Sequence, residues 1–73
     1  MAATSSLSRL RAEQALRQSP IPALRKLGVE ETATEVILTG YVTSYYLKQM
    51  AQETVMAVLG EYVLLNQVTV VRE

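Results

Sequence analysis

The chain offers chemistry seven carboxylates and no imidazole or thiol. All seven acids are Glu, and the sequence holds no Asp, His, Cys, Trp or Phe. These absences exclude a disulfide, a thiol nucleophile, a Cys/His zinc site, an imidazole base and a Ser–His pair. Two carboxylates share general acid–base work only when both reach one substrate. Glu30 and Glu31 are neighbours in sequence, and on a strand they point to opposite faces. Glu13, Glu35, Glu53 and Glu61 are scattered among polar residues, where a solvated surface is their ordinary place. The expectation is a chain that binds and does not catalyse, with no metal and no cofactor.

A chain of 73 residues is one small domain, large enough to bury about 60% of the surface its unfolded form exposes. With 49% hydrophobic and 19% charged residues it is too apolar to stay disordered. The opening residues lack the basic start and apolar run of a secretory signal. The longest apolar run, 55–59, is far below the ~20 residues that span a bilayer. With Met1 taken as the start, the cytoplasm is the expected compartment.

Residues 8–18 are good helix formers free of Gly, Pro and β-branched types, which predicts a first helix after a flexible N-terminal segment, 1–8. Ala12, Ala15 and Leu16 share its narrow apolar side, with Leu7 and Leu10 roughly opposite, beside Gln14 and Arg17. Pro20 and Pro22 then force a kinked connector. Leu27 and Val29 alternate with Gly28 and Glu30 as a short strand, and 31–34 make a turn. The stretch 35–43 is rich in β-branched and aromatic residues and predicts a strand with Val36, Leu38 and Val42 on one face. Ser44 is the expected N-cap of a helix over 45–59, and Gly60 its left-handed C-terminal stop. Leu47, Ala51, Thr54, Val55 and Val58 form that helix's apolar stripe, leaving Tyr45 and Met56 outside it. A last strand covers 63–72. The order α-β-β-α-β predicts an α+β domain over 9–73, with a mixed three-stranded sheet and two helices packed on one face.

The order Val36-x-Leu38-x-Gly40-x-Val42-x-Ser44, then Ala51, Gly60, Leu64, Asn66, Val68 and Val70, resembles the BON domain of bacterial envelope and osmotic-stress proteins. Ala15-Leu16 and Leu27-x-Val29 extend the likeness to residues 9–71. Two departures stand out. The hairpin 31–34 has no Gly, so a longer, looser turn is expected in place of a tight type I′ turn. Glu61 stands where the family often has Val. The resemblance implies a non-enzymatic module that binds phospholipid surfaces or mediates contacts within membrane-associated assemblies, often periplasmic. Gly40, Gly60 and Asn66 are its marker positions, read here as close strand packing, a helix stop and a polar side chain held near a loop.

The zero net charge hides an asymmetry. Arg9, Arg11, Arg17, Arg25 and Lys26 against Glu13 give residues 1–26 a net +4, whereas 27–73 carry Lys48 and Arg72 against six Glu, a net −4. The five basic residues are therefore candidates for anionic lipid contact, although the arginines point in different directions around their helix. Tyr41, Tyr45 and Tyr46 cluster at the start of the second helix, where covering the core edge is their expected role and a membrane interface the alternative. If Val36, Leu38, Val42, Leu64, Val68 and Val70 face the helices, then Ile37, Tyr41, Val63, Leu65 and Val71 face the other way with nothing to cover them. That face is the expected site of homodimerisation or of docking on a protein partner. Nucleic acid is not an expected partner, because no Gly-x-x-Gly loop and no aromatic platform with basic neighbours is present.

Overall fold

In the computed structural model, residues 3–60 and 62–71 are described. Helix α1 (Ala3–Arg17) leads through a short 3-10 turn (Pro22–Lys26) into strands β1 (Gly28–Glu31), β2 (Glu35–Thr39) and β3 (Tyr41–Val42). Helix α2 (Tyr45–Leu59) and strands β4 (Val63–Asn66) and β5 (Thr69–Val70) complete the chain. Strand β2 is central, antiparallel to β1 and parallel to β4, so the mixed three-stranded sheet and its crossover through α2 are as expected.

Both helices lie on one side of this sheet. Ala12 and Leu16 of α1, Ala51, Val55 and Leu59 of α2, and Val29, Val36 and Leu38 of the sheet are buried together, with Leu24, Leu27, Val42 and Val68. Leu64 and Val70 pack against this core half-buried, so all six residues expected on the helix side are there. The stripe of α2 differs in one member: Leu59 is buried and Val58 is 36% exposed. The buried row runs Ala51, Val55, Leu59, a step of four that slants across the helix and carries Val58 out of the contact.

Several boundaries differ from expectation. Helix α1 begins at Ala3, so the segment expected to be a flexible lead is helical from that residue, with no Gly or Pro to end the helix sooner. The connector is organised, not merely kinked: Ser19 is buried and its Oγ accepts from the Ile21 N–H (3.1 Å), while Leu24 is fully buried. The hairpin closes with Thr32 N–H donating to Glu35 O (2.9 Å) and Glu35 N–H donating to Thr32 Oγ1 (3.1 Å). Only glycines have positive φ among the described residues, so a type I′ turn is absent, but the turn is short, with only 33–34 between the bonded Thr32 and Glu35, and not the longer, looser one expected, because the Thr32 hydroxyl stands in for a backbone partner. The corner residue Glu61 lies outside the described residues, as do Arg72 and Glu73.

The two long strands are each interrupted. Gly40 has φ +122°, and a Cβ there would meet Leu27 Cδ2 at 2.8 Å, so β2 ends and β3 begins around a residue that must be glycine. Opposite it, Val68 N–H donates to Asn66 Oδ1 (3.2 Å) and not to a neighbouring strand, which separates β4 from β5. The breaks fit each other: Gln67 N–H donates to Leu38 O and Thr69 N–H to Gly40 O, both at 2.9 Å. Strands β3 and β5 then pair in parallel as a small second sheet.

Candidate functional site

The helix-free side of the sheet is built by strand alternation. Glu30 pairs with Ile37, Ile37 with Leu65, and Glu35 with Val63, and these residues share the side away from the helices. Ile37 and Leu65 are half-buried and take no part in the core, while Val63 is 53%, Tyr41 73% and Val71 43% exposed. Of the five residues expected to stand uncovered, Tyr41, Val63 and Val71 are exposed, and Ile37 and Leu65 keep only part of their surface in water. Glu30 and Glu35 join them as an acidic border, a feature that their parity with Ile37 makes visible once the strand register is known. Among the described residues no strand contains Lys or Arg. Glu31 points to the helix side, separated from Glu30 as expected, with its Oε2 buried and without a hydrogen-bond partner.

The basic residues do not form one patch. All five are exposed. On α1, Arg9 points close to the direction of buried Leu16, whereas Arg11 and Arg17 flank the opposite side, where Leu7 and Leu10 are each 48% exposed. Arg25 is held locally, its Nε donating to Ser19 O (3.0 Å) and its Nη2 to Pro20 O (3.4 Å), which ties its guanidinium to the connector. Lys26 follows at the end of the 3-10 turn.

The marker positions have structural tasks. Asn66 ends β4 on its helix side, beside the break at 67–68 as expected: its Oδ1 accepts from Val68 N–H (3.2 Å), and its Nδ2 donates to Lys48 O (3.0 Å) and Gln52 Oε1 (3.3 Å), binding the sheet to α2. Gly60 ends α2 with φ +69° and ψ −118°, so its φ is positive as expected but its ψ lies outside the left-handed helical region. Ser44 caps α2, its Oγ accepting from Leu47 N–H (3.2 Å). Gly40 shapes the strand break.

The tyrosines overturn an expectation. Tyr41, Tyr45 and Tyr46 are all about two-thirds exposed or more and none covers the core edge; Tyr62 packs there instead. Ser44 fixes where α2 begins, and the helix turns its first two tyrosines outward because Leu47 and Ala51 already fill the inward direction.

No family model, curated protein or solved structure matches this chain. Among the described residues no group of three or more Asp, Glu, His or Cys side chains gathers to hold a metal ion, and no helix is long and apolar enough to cross a membrane. An open groove of about 480 Å³ between the helices is lined by Arg11, Gln14, Ala15, Gln18, Ala57 and Val58. It presents one cation and amide groups, with no acid or base beside them.

Proposed function

We propose that this chain is a BON-like, non-enzymatic binding module that docks on protein through the helix-free side of its sheet. The observation that carries the reading is the register that sets Ile37 beside Leu65 and Glu35 beside Val63 on the side away from both described helices. Side-by-side apolar residues with an acidic border suit a protein surface better than an anionic membrane, which Glu30 and Glu35 repel. A photocrosslinking residue at position 65, with Glu53 on the exposed side of α2 as the control position, tests it. Protein adducts at 65 and none at 53 are expected. Adducts to lipid alone, or equal adducts at both positions, overturn the reading.

A second reading follows from the five exposed basic residues: attachment to an anionic phospholipid surface through α1 and the 3-10 turn. Each Lys or Arg near such a surface contributes about 1 kcal/mol, and the attraction fades as salt rises. Flotation of Arg9→Gln/Arg11→Gln/Arg17→Gln with anionic vesicles separates the two readings. Wild-type flotation lost in the variant supports lipid attachment; no flotation of either removes it.

A further inference from the structure

The occupant of the uncovered face can be read from the same molecule, an inference that rests on the docking reading above and adds the partner. Three strands about 4.8 Å apart make a face about 10 Å wide, close to the 10–12 Å diameter of one helix with its side chains. A five-residue strand is about 16 Å long at 3.3 Å per residue, and the rise from Leu7 to Arg17 is about 15 Å. The outer side of α1 carries exposed Leu7 and Leu10 on either side of exposed Gln14, with Arg11 and Arg17 about 50–70° from their midpoint. The sheet side carries Ile37 on its central strand and Leu65 beside it on edge strand β4, with Glu30 on the other edge strand, Glu35 at the start of the central strand, and no basic residue in any described strand. Leucines meet Ile37 and Leu65, and the arginines of one face meet the glutamates of the other. Two sheet faces laid on each other would instead bring four glutamates together.

From this match we infer that the helix-free face takes the outer side of α1 from a second copy of this chain, with Leu7 and Leu10 on Ile37 and Leu65 and with Arg11 and Arg17 toward Glu30 and Glu35. Each copy then receives a third layer on its sheet. The outer side of α1 and the open sheet face point away from each other within one molecule, so two copies do not satisfy both patches in a single pair. The contact is heterologous and propagates as a chain or closes as a ring.

Sedimentation velocity of the full chain over a concentration series tests this, using two variants that keep the local propensities: Leu7→Gln/Leu10→Gln on the helix and Ile37→Thr/Leu65→Thr on the face. Circular dichroism and thermal melting first establish that each variant folds. The wild type is expected to grow beyond a dimer as concentration rises, and to shrink when salt is raised. Each variant alone is expected to be monomeric, and an equimolar mixture to form a dimer and nothing larger, because the mixture supplies one intact helix and one intact face. A helix variant that associates as the wild type does means sheet-to-sheet contact and overturns the α1 occupant while sparing the face. A mixture that stays monomeric also overturns it. A wild type that stays monomeric throughout overturns self-association, and the crosslink at position 65 then decides the docking reading separately.

Discussion

The two sides of one small sheet carry similar side chains and have different fates. On the helix side, Val36 and Leu38 are fully buried under α1 and α2; on the other, Ile37 and Leu65 stand beside each other, half-buried, outside the core and away from both described helices. The side-chain types do not make this difference, since Val, Ile and Leu occur on both. It comes from supply: a chain of this length has two helices, and both have been spent on one side. The open side carries two glutamates, Glu30 and Glu35, against one, Glu31, on the helix side, where Val29 and Val36 are buried. A surface charged with one sign selects its partner.

The comparison breaks most sharply at Leu38. Leu38→Ala removes a fully buried side chain from the helix side of central strand β2 and should cost about 2–5 kcal/mol, read as a lowered midpoint in urea unfolding. A loss below about 1 kcal/mol would mean that the helix side is not the core. Asn66→Ala comes next. It deletes the donor to Lys48 O and the acceptor for Val68 N–H, and should cost about 1–3 kcal/mol with the same unfolding readout. Asn66→Asp sharpens that measurement, because it keeps the acceptor for Val68 and loses the donor to α2. The smallest effect belongs to Ile37→Thr, one residue along the strand from Leu38. Its change in stability should be under about 1 kcal/mol, since the side chain is already partly in water. Equal losses at positions 37 and 38 would erase the distinction between the two sides.

Much of this architecture can be read from residue order. Alternation of Val36, Leu38 and Val42 against Ile37 and Tyr41 separates the two sides of the sheet, and Ser44 and Gly60 bound α2 because capping is a local event. The unread features depend on distant partners. The break at Gly40 requires Leu27 to press against it, and the matching break in the last strand requires Asn66 to take the Val68 amide for its own side chain. Leu24 is fully buried inside a stretch whose two prolines signal only irregular backbone. Val58 and Leu59 exchange roles according to how α2 slants across its neighbours, which no helical wheel contains. The acidic border likewise needs the register: Glu30 joins Ile37, and Glu35 joins Val63, only when β1, β2 and β4 are aligned.

The paired breaks also bear on the order in which the fold assembles. Glu35 with Val63 and Val42 with Val70 span the same number of residues, so the interruption at Gly40 and Gln67–Val68 leaves the parallel register unchanged. Closing the long loop through α2 once, at β2 and β4, brings β3 and β5 into register with no further loop to close. The β1–β2 hairpin, by contrast, pairs residues close in sequence and can form on its own within microseconds. Pairing β2 with β4 therefore closes the long loop for both sheets, and the smaller sheet follows without a separate search.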